Sequence, residues 1–405
     1  MTNTPVPPGA IPTKSRSTAR YPLSVVVLGL AFGPAVALGL ARFAYALLLP
    51  SMRADLHWSY GTAGAVNTAN ALGYLGGALL TAPMARRYGT RRIFVISLGV
   101  AVASLLATAI SGNLAVLISL RTVAGLFGAV TFISGAGLVA AAGSAASGHR
   151  AATLLGVYFA GAGAGIVISG LAIPSLLSAT SATSAADGWR WGWVLLAVIG
   201  VVAFAVATPA ALSTPEPAAP PVTDRQWPAR QLRAIIIAYG FFGAGYIAYM
   251  TFIVAYLKDR GAGEGEITVF WVVLGTAAIA GAFGWAWPIS RLQAGRGPAL
   301  VLAAVSIGAL LPLLSRSTLA AMASALLFGG SFLTVVTAVT AVARRSFQPH
   351  HWTPAIAGLT VAFACGQCLG PVLTGVLSEG PIGLSVGLGV SVGLLGVASV
   401  IALLQ

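Results

Sequence analysis

Apolar stretches long enough to cross a membrane recur along the whole chain, and no other feature restricts the fold as severely. A helix needs about 20 apolar residues to traverse a ~30 Å hydrocarbon core. Only helices or closed barrels can cross, because unpaired backbone groups are not tolerated in lipid. The stretches here are of helical length and lack the ten-residue alternation of a barrel strand. Charged residues make up 7% of the 405, under a third of the ~25% usual in soluble domains. The predicted class is therefore an all-α integral membrane protein.

A window of ~19 residues gives twelve candidate spans, at 23–50, 62–82, 92–111, 113–143, 151–177, 189–212, 232–257, 267–287, 298–314, 318–342, 354–378 and 382–404. Residues 1–22 read as a polar, disordered cytoplasmic tail. The first apolar run is longer than a signal-peptide core, so it is expected to stay attached as a helix. Between the sixth and seventh spans lies "STPEPAAPPVTDRQWPARQLR", the only long polar, Pro-rich connection. It divides the chain into an N-terminal six-helix bundle, 23–212, a cytoplasmic linker, 213–231, and a C-terminal six-helix bundle, 232–405.

The formal charge of +14 does not point to nucleic acid, because the basic residues are scattered between apolar runs and form no basic domain. Topology accounts for them. Fifteen of the 22 basic residues fall in segments on the side of the N-terminus and five on the other, so the positive-inside rule puts both termini in the cytoplasm. The two cysteines, Cys365 and Cys368, lie inside an apolar span with no βαβ pattern around them, and read as packing residues.

The two halves resemble each other at an offset of about 205. "GLARFAYALLL" from Gly39 matches "GYIAYMTFIVA" from Gly245, and Gly161, Gly165 and Gly170 match Gly366, Gly370 and Gly375. Six-plus-six repeats around a central linker are a transporter architecture, with the ligand site near the midplane between the halves.

Two arginines interrupt apolar spans, Arg42 and Arg121. An arginine at the bilayer centre costs at least ~2.5–3.5 kcal/mol and needs a partner. No carboxylate is at hand: Asp55, Asp187, Glu216, Asp224, Asp259, Glu264, Glu266 and Glu379 all fall in loops or at span ends. An uncompensated positive pocket suits an anion, which guanidinium binds through paired hydrogen bonds. At 1.5 Å per residue, Arg42 stands ~12 Å from Pro50 and Arg121 roughly as far from Asn113, a little outside the midplane. The competing reading is that either arginine bonds to backbone carbonyls of a neighbouring helix and braces the bundle.

Helical spacing adds further polar candidates. Tyr45 follows Arg42 at i+3; Asn67, Asn70 and Tyr74 form a stripe on span two; Tyr246 and Tyr249 do so on span seven, and Gln367 interrupts span eleven. Each alone reads as an interhelical hydrogen bond; together they describe a cavity with aromatic walls and few polar anchors. No metal-ligand cluster, zinc motif or G-x-S-x-G elbow is present, so neither a cofactor nor an enzyme is expected.

Over essentially its whole length the chain resembles the major facilitator superfamily. "APMARRYGTRRI" is similar to the family signature Gly-x-x-x-Asp-Arg-x-Gly-Arg-Arg through Arg87, Gly89 and Arg91, with Ala82, Arg86 and Thr90 departing from it. Arg86 replaces the aspartate on which the family's conformational latch is centred. "RTVAGLFGA" resembles the Arg-x-x-x-Gly motif of span four. "GVYFAGAGAGIVISGL" is Gly-rich like the antiporter motif but lacks its Gly-Pro, whereas "FACGQCLGPVLTG" carries Gly370-Pro371. Along with "NTANALGYLGGAL", these look most like the bacterial YbfB/YjiJ-type branch.

The resemblance implies alternating access in the bacterial inner membrane, with spans one, four, seven and ten lining a central cavity. It also gives Arg87, Gly89, Arg91, Gly161, Gly165, Gly370 and Pro371 roles in packing or gating. The spacing of Arg42 to Pro50 resembles that in organic-phosphate antiporters and anion symporters, where the arginine contacts the anion. The expected function is a secondary transporter of a small organic anion, a carboxylate with an aromatic or partly apolar body, working as a monomer. Three couplings stay open: a counter-anion, a co-transported proton, or export down the potential. The alternatives are an exporter of neutral or amphiphilic compounds and a membrane receptor.

Overall fold

The computed structural model describes residues 21–144, 146, 148–181, 187–217 and 227–405; the tail to residue 20 and the middle of the linker lie outside them. Every regular element among these residues is a helix. The long helices are α1 (Leu23–Asp55), α2 (Tyr60–Tyr88), α3 (Thr90–Thr108), α4 (Leu114–Ala142), α5 (Gly148–Ser181) and α6 (Gly188–Ser213), then α7 (Arg233–Asp259), α8 (Glu264–Arg291), α9 (Arg296–Leu314), α10 (Thr318–Ser346), α11 (Pro349–Leu377) and α12 (Leu384–Ala402).

Each matches an expected span, with α2 and α5 several residues longer than their apolar cores. Hydropathy ends where apolar side chains end, while the backbone ladder continues through Arg86, Arg87 and Tyr88. Local chemistry sets the starts. Ser59 accepts from Thr62 N at 3.1 Å, Asn113 from Ala115 N at 3.0 Å and Ser317 from Ala320 N at 3.2 Å, each capping donors that a helix start leaves free. Gly89, at φ +84°, makes the sharp turn from α2 to α3.

Eleven of these helices are long and apolar enough to cross a membrane. The exception is α2, 29 residues long but diluted by Asn67, Asn70 and its glycines. Large apolar side chains such as Leu79, Val202 and Leu319 stand on the outside, as a lipid-facing surface requires. The most buried helices are α1 and α7, with 72% and 78% of their apolar cores covered, against 33–56% in nine others. These two form the centre of the molecule, whereas α4 and α10 are not set apart from the rest.

Glycine contacts tie the bundle together. Gly161 and Gly165 admit the carbonyls of Ala31 and Ala35, and Gly366 and Gly370 admit those of Gly240 and Ala244. The α1–α5 and α7–α11 contacts thus repeat the same four-residue step on either side of the linker. The two sides meet along α2 and α11, where Gly64 lies against the Pro371 carbonyl, and along α5 and α8, where Gly163 faces Gly275. Near the loops, the Tyr60 hydroxyl donates to Asp259 at 2.7 Å and Gly61 N to Glu379 at 2.9 Å.

Candidate functional site

The central helix α1 is not wound uniformly. It is α-helical over Leu23–Pro34, π-helical over Ala35–Phe43 and α-helical again over Tyr45–Asp55. Pro34 has no N–H for the preceding turn, so the α ladder is already interrupted where the wider winding begins. At its end Ala44 N bonds to Gly39 O at 3.0 Å. π-Helical turns often occur at functional sites, and Arg42 is the one charged residue in this segment. Arg42 stands 13 residues before Asp55 and 19 after Leu23. It is therefore nearer the middle of its helix than the sequence estimate, which took Pro50 as the outer end.

Arg42 is 4% exposed, and its Nε and Nη2 atoms are buried without a hydrogen-bond partner. Its guanidinium lies over the Tyr74 ring, 4.9 Å from the centroid. It lines a narrow cavity, too tight for a water molecule in this arrangement, with Phe43, Tyr45, Ala46, Asn67, Ile247, Met250 and Thr251. Residues from α1, α2 and α7 therefore share one small space between the two sides. The ion pairs among described residues are Arg91–Glu216, Arg190–Asp187 and Lys258–Glu264, none of them at this cavity.

Arg121 has a different setting. Its Nη1 donates to the Ala41 carbonyl at 2.6 Å, and its guanidinium faces the Tyr45 and Trp193 rings at 5.1 and 5.2 Å. The Tyr45 hydroxyl is given to the Ala63 carbonyl at 2.9 Å, and Asn70 Nδ2 to the Arg121 carbonyl at 3.1 Å. Arg121 thus grips the backbone one residue before Arg42 through Nη1, while its Nε and Nη2, like those of Arg42, are buried without a hydrogen-bond partner.

The other expected residues divide. Tyr45 and Asn67 line the cavity with Arg42, and Tyr74 stacks on it. Tyr246 accepts from Gln367 and joins a set of nearly parallel rings with Phe242 and Phe363. Phe332 connects this set to Phe43, beside Arg42. Tyr249 turns to α10, bonding Ser324 at 2.5 Å and packing on Phe328. The face that α7 presents to the cavity is Ile247, Met250 and Thr251, which sequence reasoning missed because it followed the more polar tyrosines. They share one face by their i, i+3, i+4 spacing, but α7 is buried all around its axis, so that spacing does not single this face out.

Among the expected gating residues, Arg91 pairs with Glu216 at 2.9 Å, and Gly89 turns the chain beneath it. Partial burial raises the Glu216 pKa, but bonds from Thr90 and Arg91 outweigh it and hold the carboxyl below its ordinary range. Glu216, a loop acid in the sequence reading, is thus the anchor of the α2–α3 turn. Arg87 lies over Tyr88. Gly161, Gly165 and Gly370 are close-packing points, and Pro371 meets Gly64 of α2.

A larger recess of about 100 Å³ opens at the α7–α8 and α9–α10 loops. None of the buried unpartnered atoms lines it, and Arg260 there is committed to the Pro312 carbonyl and the Tyr256 ring. Among the described residues no three potential metal ligands gather.

A family model described as "Uncharacterised MFS-type transporter YbfB" matches residues 34–403. The "Uncharacterized transporter YgaY" of Escherichia coli O157:H7 is 30% identical over 188 residues, 46% of this chain and 44% of that protein. The chain therefore spans under half the length of that curated relative. Among solved structures, a nucleoside transporter NupG mutant aligns with a TM-score of 0.73 at 12% identity, covering 95% of this chain and 98% of that one. A bacterial homologue of the human lysosomal transporter Spinster, inward-facing and unoccupied, aligns at 0.70 with 15% identity, covering 94% and 96%. At such identities the structural likeness shows the fold alone.

Proposed function

The chain belongs to the family of MFS-type transporters exemplified by YbfB, and on that premise we propose that it is a secondary transporter moving a small organic anion by alternating access. One observation carries the anion: Arg42 is buried in a cavity between the two sides of the bundle, with two guanidinium nitrogens unpartnered and no acid beside it. Arg121 carries the same two bare nitrogens, but it anchors Nη1 on the Ala41 carbonyl and lies outside this cavity, whereas Arg42 lines it. A carboxylate accepting paired N–H bonds would complete Arg42, and the rings of Phe43 and Tyr45 on the cavity wall suit an aromatic or partly apolar body.

The chain sits as a monomer in a bacterial inner membrane, with the Arg86–Arg92 and Arg344–Arg345 ends of the bundle in the cytoplasm; the bias of basic residues supports this orientation. A monoanion entering against 100 mV climbs about 2.3 kcal/mol, so import needs a counter-anion or a proton, whereas export needs neither.

The test is a thermal-stabilisation screen of organic anions on reconstituted protein, wild type against Arg42→Gln. A ligand lost in the folded variant supports the reading. A ligand that stabilises both equally makes the arginine structural and favours an exporter of neutral or amphiphilic compounds.

A further inference from the structure

The same cavity leaves an acceptor bare as well as donors. Asn67 is 3% exposed and its Oδ1 is buried without a partner. The neighbouring hydroxyl determines which way this amide faces. Thr251 Oγ1 gives its hydrogen to the Ile247 carbonyl at 2.5 Å, so toward Asn67 it can only accept. The Asn67 amide therefore turns Nδ2 to Thr251, at 2.5 Å, and Oδ1 is the atom left over.

Arg42 and Asn67 thus make opposite demands on whatever occupies their shared space. Arginine has no acceptor, so it needs oxygen lone pairs; the Asn67 carbonyl oxygen needs an N–H or O–H. A ligand made only of acceptors would satisfy Arg42, leave Oδ1 dry and set like partial charges against each other. Leaving a buried acceptor unmade costs the full desolvation of that group. Water does not remove the difference. The gap is too narrow for a water molecule in this arrangement, so both groups stay bare until the two sides part and a ligand enters.

Resting on the anion reading above, we propose that the substrate is a small, planar organic anion that also carries a hydrogen-bond donor on the same scaffold, such as a hydroxy-aromatic or N–H-bearing heteroaromatic carboxylate. Arg42 takes the acidic group, Asn67 Oδ1 takes the donor, and the Phe43 and Tyr45 rings supply aromatic wall.

The test uses matched pairs on the full chain in lipid nanodiscs. Pyrrole-2-carboxylate and furan-2-carboxylate are nearly the same shape and differ by one N–H; 4-hydroxybenzoate and 4-fluorobenzoate differ by one O–H. In wild type the donor-bearing member of at least one pair binds at least about tenfold tighter. Asn67→Leu levels that pair, and Arg42→Gln abolishes binding of both members. The wild-type comparison requires no variant to fold. Equal affinity within both pairs, with binding still lost in Arg42→Gln, overturns the donor requirement and leaves the anion reading standing. Binding of neither pair at millimolar concentration, or binding retained in Arg42→Gln, overturns both.

Discussion

Asn67 of α2 and Thr251 of α7 are bonded at 2.5 Å across the junction of the two sides, on the wall of the cavity that holds Arg42. Any movement that parts α2 from α7 must break this bond. Thr251→Val keeps the shape and removes the acceptor, leaving the Asn67 N–H buried and bare. The expected cost is about 1–3 kcal/mol of the closed arrangement. It should appear as greater labelling of a cysteine introduced beside the junction; unchanged labelling would show that the bond does not hold the two sides together.

Arg42 and Arg121 should respond in opposite directions to the same substitution. Arg121→Gln removes a charge-assisted bond to Ala41, worth about 1.5–3 kcal/mol, and should lower the ligand-free melting temperature. Arg42→Gln removes an uncompensated buried charge, so ligand-free stability should be unchanged or higher. Paired melting curves in detergent check this, and a larger fall for Arg42→Gln would contradict the assignment of roles.

Arg42→Lys separates charge from geometry. Lysine keeps the positive charge but cannot present two N–H groups in one plane. Anion affinity is expected to fall at least about tenfold, measured by titration against a stabilising ligand. Full retention would mean that the site uses only a point charge.

Glu379 links pH to the contact between the two sides. Bonds from Ser59 and from the Gly61 N–H hold its carboxyl below the ordinary carboxylate value. The contribution is therefore fully present above that ordinary value and is lost as pH falls through the depressed one. Acidification through that window should loosen the α2–α11 contact, and Glu379→Gln should mimic it at neutral pH. Distances between spin labels on α2 and α11 would report the change, and a pH response that survives Glu379→Gln would assign it elsewhere.

Gly64 offers a steric test. A Cβ there would overlap the Pro371 carbonyl, so Gly64→Leu should keep α2 and α11 apart and shift the population toward the state in which they separate. Spin-label distances unchanged from wild type would mean that the helices accommodate the side chain.

Most of the fold was legible from apolar run lengths and loop chemistry. All twelve expected spans have a helix, and the described acids lie in loops or at helix ends, as with Asp55, Asp259, Glu264 and Glu266. Helix ends were less legible, because hydrogen bonding continues past the last apolar side chain. Arg42, Tyr45, Asn67 and Tyr74 were recoverable as site candidates, since polar residues in lipid-length runs are costly and therefore conspicuous. Ile247 and Met250 were not, because nothing distinguishes an apolar cavity wall from an apolar packing face.

By itself the sequence determined an all-helical membrane protein with two buried arginines and no acid within the spans to neutralise them. The tertiary structure decided which arginine has a partner. Arg121 reaches a carbonyl of the α1 backbone, whereas Arg42 projects from the π-helical turn into a gap that only the approach of α2 and α7 encloses. The physical reason is that α7 is apolar on every side, with buried residues all around its axis. Periodicity cannot say how such a helix is rotated; its packing neighbours turn Thr251 toward Asn67 and Tyr249 toward α10.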